Sequence, residues 1–207
     1  MPKITASQGD SILSLAHDNG HFWQKVWDHG ENAALKAKRK NPNQIMEGDE
    51  VFIPDLEIKQ ESRGADSRHV FKRKGVPAKL KMQLFLLGEP RKNEAYVLEL
   101  DGKLITGNLD GDGKLEQFIP PNCKGGTLKL KSGKEVIPIK LGFLNPIDEI
   151  SGVKQRLNNL GFRCGGEDNE MSDQAKAALR DFQSKHKLPD TGELDAATKS
   201  KLQALHP

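Results

Sequence analysis

The sequence predicts an α+β chain made of several small units. Three observations predict it: apolar residues at helical spacing near the C-terminus, alternating strand-like runs in the middle, and a strand, helix, helix, strand order at the front. At 207 residues the chain suits one large domain or two to three small ones. Aromatic residues make up 5% and charged residues 29%, which favours modest cores with wide solvated surfaces. The expected division is residues 1–57, a polar linker at 58–68 without hydrophobic period, an antiparallel β-sandwich at 69–146 and a three-helix unit at 147–207.

Charge and cysteine usage exclude several classes of function. The net charge of +3 is too small for a duplex-binding face, so nucleic acid is not an expected partner. Lys and Arg number 6 against 9 acidic residues in 1–57, 17 against 12 in 58–150, and 9 against 8 thereafter, so only the middle is basic. Cys123 and Cys164 fall in different expected units and are read as free thiols. Met1-Pro2-Lys3-Ile4-Thr5 lacks the apolar core of a secretory signal, and no stretch approaches a membrane span. Synthesis in the cytoplasm without a cleaved leader is expected, the initiating Met1 arguing against a precursor.

At the front, Ile4-Thr5-Ala6-Ser7 reads as a short strand and Gln8-Gly9-Asp10-Ser11-Ile12 as a turn into a helix. Asp10 or Ser11 can accept from the first free amides, while Ile12, Leu15 and Ala16 form the buried stripe. Asn19-Gly20 stops that helix. A second helical stretch carries Phe22, Trp23, Val26 and Trp27, breaks at Gly30 and resumes through Ala33, Ala34, Leu35 and Ala37. Asn41-Pro42-Asn43-Gln44 ends it, and Gly48-Asp49-Glu50-Val51-Phe52-Ile53-Pro54 reads as turn and strand. Trp23 and Trp27, four apart on one face, suit either a core or a sugar-stacking surface.

With Gly9-Asp10-Ser11-Ile12 before the helices and Gly48-Asp49-x-Val51-Phe52-Ile53-Pro54 after them, residues 4–54 resemble the LysM family, with an unusually long segment between the helices. The resemblance implies a shallow groove for glycans containing N-acetylglucosamine. Gly9, Asp10, Ser11 and Ile12 would form one wall, and Asn43, Gln44 and Ile45 the other. Backbone amides and carbonyls there would pair with the acetamido group, over an apolar floor for its methyl.

In the middle, strand-like runs at 69–73, 80–86, 96–100, 103–107, 115–119, 127–130 and 136–139 are spaced by Asp101-Gly102, Gly111-Asp112-Gly113 and Ser132-Gly133, all read as hairpin turns. Their number and spacing imply the sandwich, and residues 96–119 weakly resemble transthyretin-like or immunoglobulin-like domains. Asn108-Leu109-Asp110-Gly111-Asp112-Gly113 places oxygens where a calcium loop wants them, but the twelfth position is Ile119 and both flanks are strands. A tight hairpin turn accounts for the same residues, and no metal is expected. Lys72-Arg73-Lys74 with Lys79, Lys81, Arg91 and Lys92 forms a basic group, either a solvated face or a docking surface for an acidic partner.

Near the C-terminus, Val153, Leu157 and Leu160 share a helical face that Gly161 closes. Ala175, Ala178, Leu179 and Phe182 form a second stripe; Leu194, Ala197, Leu202 and Leu205 form a third, with Asp195 placed to cap it. The pattern Val153-x-Gln155-x-Leu157-x-x-Leu160-Gly161-Phe162, then Ala177-Ala178-Leu179-x-x-Phe182-Gln183, then Leu188, Gly192, Thr198 and Leu202, resembles the peptidoglycan-binding-domain family. Asn169 and Gln174 depart from its usual glycine and threonine, both at one helix entrance. The resemblance implies a peptidoglycan-binding face at Arg163, Asn169, Gln174, Phe182 and Gln183.

No serine elbow, zinc helix or phosphate loop is present, and the six histidines are scattered. No enzyme activity and no cofactor are expected. Glu94 or Glu99 could still serve a hydrolase centred in the middle. The arrangement looks like proteins of type VI secretion and phage-tail-like injection systems, which implies a wall-binding accessory exported to the periplasm or a target cell. A cytoplasmic adaptor docking a toxin effector onto the secretion spike is the alternative.

Overall fold

The computed structural model describes residues 3–57, 60, 62–70, 78–86 and 88–206. Strand β1 (Lys3–Thr5) leads into helix α1 (Ile12–Asp18), whose cap is Ser11 rather than Asp10. Ser14 N donates to Ser11 Oγ at 3.1 Å and Ser11 N donates to Ser14 Oγ at 3.0 Å, so two of the amides at the helix start are satisfied reciprocally. Helix α2 (Trp23–Trp27), a 3-10 turn (Gly30–Asn32) and helix α3 (Ala33–Arg39) follow. Strand β2 (Glu50–Phe52) then pairs antiparallel with β1, setting Ile4 opposite Val51.

Ile12, Ala16, Val26, Trp27 and Val51 form the first apolar core, and Trp23 packs against it half-buried. Trp27 is therefore a core residue. Asn32, 1% exposed, fastens helix to strand. Its amide donates to Val26 O and Phe52 O at 2.8 and 2.9 Å and accepts from Phe52 N at 2.8 Å.

Among the described residues, the strand pairings of the middle are antiparallel. Strand β3 (Ala78–Gln83) is followed by a small hairpin, β4 (Phe85–Leu86) with β5 (Glu89–Pro90). The run expected at 80–86 is thus broken at Leu84, whose N donates to Gly113 O and whose O accepts from Arg91 N. Strands β6 (Ala95–Leu100) and β7 (Lys103–Asn108) meet in a hairpin whose turn residues Asp101 and Gly102 both have positive φ, +46° and +76°, the requirement of a type I′ turn.

Strand β8 (Lys114–Ile119) pairs with β3, while β9 (Gly125–Leu130) and β10 (Glu135–Lys140) complete a four-stranded sheet of order β10-β9-β6-β7. Residues 109–113 therefore link two sheets. This corrects the hairpin expected there, since β7 and β8 do not pair. Leu98, Leu128 and Leu130 of the sheet share a buried cluster with Leu80 and Leu115 of the β3–β8 ribbon. Of the run at 69–73, His69 and Val70 lie in no strand, and residues 71–73 are outside the described residues.

Helices α4 (Ile150–Asn159), α5 (Asp173–Lys185) and α6 (Ala196–Leu205) surround Val153, Leu157, Ala178, Leu179, Phe182 and Leu202. Gly161, at φ +89°, ends α4: Phe162 N donates to Leu157 O and Gly161 N to Asn158 O at 2.8 and 3.0 Å. That paired pattern satisfies carbonyls the helix end would leave bare. Ser172 caps α5 and Asp195 caps α6, the latter accepting from Thr198 N at 2.7 Å.

Candidate functional site

The loop between α4 and α5 is the most constructed surface of the C-terminal unit. Lys154 projects from α4 and is only 2% exposed. Its ammonium donates to Asp168 Oδ1 at 2.6 Å and to Glu170 O at 3.1 Å. This ammonium holds the Asp168 carboxyl below its ordinary range. Asn158 adds a second tie, donating to Gly165 O and accepting from Cys164 N at 3.1 and 3.0 Å. Cys164 is fully buried, with its Sγ 3.1 Å from Lys154 O, and burial pushes the thiol pKa up. A buried free thiol of this kind is inert. Lys154 and Leu157, three apart, share a helix face, which is the sequence signal that could have placed this lysine inward.

Arg163, Asn169 and Gln174 are exposed around that loop. Gln174 Nε2 donates to Arg163 O at 3.2 Å, and Asn169 Oδ1 accepts from Ser151 N at 2.9 Å. The two departures from the family pattern therefore act at different places: Gln174 braces the loop at the start of α5, and Asn169 caps the start of α4. Phe182 and Gln183 require a correction. Both have 0% exposure, so neither reaches a polymer. Phe182 packs edge-on against Phe162 with ring centroids 5.3 Å apart and lies 4.6 Å from the His186 ring. Gln183 organises the turn before α6.

In the N-terminal unit the segments that carry the two expected groove walls are tied next to the second wall, Ile12 N donating to Pro42 O at 2.9 Å. Ile12 and Ile45 are 0% and 3% exposed and belong to the core, and Gln44 is also buried. Asn43 is exposed, Asp10 and Ser11 are partly exposed, and Gly9 is buried. Asp10 accepts from Ser7 N at 2.8 Å instead of capping α1. Gly9 is covered by Phe143: a Cβ built on Gly9 would lie 2.8 Å from Phe143 Cε2.

Behind that wall Asp49 is buried. Burial raises its pKa, but the Arg39 guanidinium at 2.7 and 2.9 Å, the Met46 amide and Lys38 outweigh it and hold the carboxyl below its usual value.

The expected basic group is not one surface. Lys79 and Lys81 of β3 both face Glu116 across the ribbon. Arg91, 6% exposed, is clamped by Glu94 and Glu135, which raises its pKa. Lys72, Arg73 and Lys74 lie outside the described residues. In the turn considered for calcium, Asp110 Oδ1 accepts from the amides of Asp112 and Lys114, both at 2.8 Å. Among the described residues no group of three or more His, Cys, Asp or Glu is placed to hold a metal.

An open cleft of about 250 Å³ lies between β10 and α4, lined by Pro138, Lys140, Phe143, Leu144, Gln155, Asn159 and Glu167. Gln155 is committed to the connector, donating to Phe143 O at 3.0 Å and accepting from Asn145 N at 2.7 Å. No helix among the described residues is long and apolar enough to cross a membrane.

The helices, the pinned loop and their shared core define a small three-helix unit. Residues 147–202 match the peptidoglycan binding domain family, and the match supports a role in binding the cell wall, with peptidoglycan as partner. No curated protein and no solved structure gives a significant match to the chain.

Proposed function

We propose that this chain is a non-catalytic peptidoglycan-binding protein that holds the wall through two modules of different fold. The observation that carries the reading is the family match over residues 147–202, on a helical unit that presents Arg163 and Asn169 of the α4–α5 loop and Gln174 at the start of α5 to solvent. The second module is the LysM-like N-terminal unit, with Asn43 exposed and Asp10 and Ser11 partly exposed in its N-acetylglucosamine groove. The antiparallel middle unit, a sandwich of transthyretin-like or immunoglobulin-like type, spaces the two. Two weak sites in one chain raise each other's effective concentration on a shared polymer.

The absence of catalysis is supported by how the two candidate glutamates are used. A glycosidase acid needs a raised pKa, whereas the hydrogen bond from Arg91 holds Glu94 below its ordinary value. Glu99 pairs with Lys129 at 3.0 Å. We further place the protein with contractile injection systems of the type VI or phage-tail kind, as an exported accessory; its modular arrangement and the resemblances of its sequence support this.

Co-sedimentation with purified sacculi tests the binding role: retention is expected, and a chain left wholly in the supernatant sinks it. Constant turbidity of a wall suspension is expected over the same interval, and clearing would make the protein a hydrolase. Appearance in the medium of sheath-competent cells but not sheath-defective ones tests the export route.

A further inference from the structure

The first wall of the N-terminal groove is occupied by the chain itself. Lys124, in the turn between β8 and β9, donates to Gly9 O at 3.1 Å and to the Asp10 carboxylate. Two residues earlier, Asn122 Nδ2 donates to Asp18 Oδ1 at 2.9 Å. The connector after β10 covers the same place. A Cβ on Gly142 would lie 2.3 Å from Gly9 O, and the Phe143 ring rests against Gly9. The two covering segments are tied to each other, since Leu141 N donates to Lys124 O at 2.9 Å. Gly142, at φ +78°, has the left-handed backbone and the missing side chain that this approach requires.

A backbone carbonyl is what a groove of this kind offers to an acetamido N–H or a sugar hydroxyl. At Gly9 that oxygen already accepts from an ammonium, and the space beside it holds an aromatic ring. The Lys124 side chain is 49% exposed although Asp10 is only 14% exposed, so the ammonium end of the pair is open to screening by salt. An occlusion of one groove wall that hangs in part on a salt-sensitive pair is a gate.

We propose that Lys124 and Phe143 form a latch that closes the N-terminal glycan groove against the middle unit, and that binding requires it to open. This rests on the reading that the groove takes N-acetylglucosamine. In the closed state the wall-binding surface of the chain is that of the C-terminal unit, and the N-terminal groove engages once the latch is displaced. Release by ionic strength follows directly, because salt weakens the Lys124–Asp10 pair while leaving neutral hydrogen bonds to a sugar nearly untouched.

The test uses the full chain and a soluble pentamer of N-acetylglucosamine, with affinity measured by calorimetry for the wild type, Lys124→Gln and Phe143→Ala. Thermal melting of each variant checks that it is folded, and Lys124→Gln, at a half-exposed position, is the one least able to disturb folding. Lys124→Gln is expected to bind roughly 2- to 5-fold tighter than the wild type, as loss of one exposed ion pair allows, and Phe143→Ala tighter still. Wild-type affinity is expected to climb with salt toward that of Lys124→Gln, whose own affinity stays flat. Equal or weaker binding by both folded variants, with the wild type binding, overturns the latch and leaves the glycan reading standing. No binding by any folded form at any salt overturns the glycan reading and the latch with it.

Discussion

Gly192 N donates to Gln183 Oε1 at 2.9 Å, joining the last turn of α5 to the turn before α6. The other end of the same amide donates to Glu193 O and Thr198 Oγ1 at 2.9 and 3.0 Å. A fully buried side chain thus meets Thr191, Gly192 and Glu193 of the turn and Thr198 of α6. Gln183→Leu is close in size and takes these bonds away, at a cost of about 1–3 kcal/mol for a buried group left unpaired. A lower melting temperature with unchanged helical circular dichroism is expected. An unchanged melting temperature would show that the turn finds other partners.

Gly152, in the first turn of α4, sets two effects against each other. Alanine there gains about 1 kcal/mol of helix propensity. However, its Cβ would lie 2.1 Å from Pro146 O and 2.6 Å from Asn145 O, both backbone atoms with little freedom to retreat. Overpacking of that severity costs about 1–3 kcal/mol or more, so Gly152→Ala is expected to destabilise. A stability gain in urea titration would show that residues 145–146 yield.

Asn169→Gly restores the residue usual in the peptidoglycan-binding-domain family and removes the acceptor for Ser151 N. Glu149, at the cap position of α4, makes no side-chain capping bond to the helix amides. A loss of about 1 kcal/mol is expected, while Asn169→Asp keeps the acceptor and adds a charge favourable at a helix start. Matching denaturation midpoints for the glycine and aspartate variants would sink the capping role. Comparing sacculus retention by the same proteins separates stability from recognition.

The Arg91 clamp gives a pH signature. Hydrogen bonds from Arg91, and to a lesser degree from Lys131, hold Glu135 below its usual 4.5, at about 2. A depressed carboxylate contributes stability that is complete above its unfolded pKa and is lost as pH falls from about 4.5 toward about 2. Glu135→Gln is therefore expected to melt lower than the wild type at neutral pH, with the gap closing across that window. A gap that stays constant to the acid end would assign the effect to packing.

What the sequence disclosed was local, and what it hid was long-range. The spacing of Val153, Leu157 and Leu160, the stop at Gly161 and the cap at Asp195 are set by residues within a turn of one another, and each is found where the pattern put it. The alternation at 96–100 and 127–130 likewise marks strands, because burial on one face imposes period two.

Turn chemistry at Asp110 to Gly113 says only that the chain reverses locally; that β8 leaves for β3 depends on a strand some 30 residues earlier. Arg91 read as part of a basic surface because Glu135 lies 44 positions away. The site suffered most from this blindness. Gly9 carries no mark in the sequence of the Phe143 ring that covers it, and Gln183, a polar residue in a recognised motif, serves the interior.

Asp148 receives Lys40 at 3.7 Å from the first unit and Lys199 at 3.2 Å from the last, and Arg39 reaches Glu149 beside it at 3.5 Å. The first unit and the last therefore meet at the segment that leads into α4. Asp148 serves both outer units at once, and its loss would free a lysine on each.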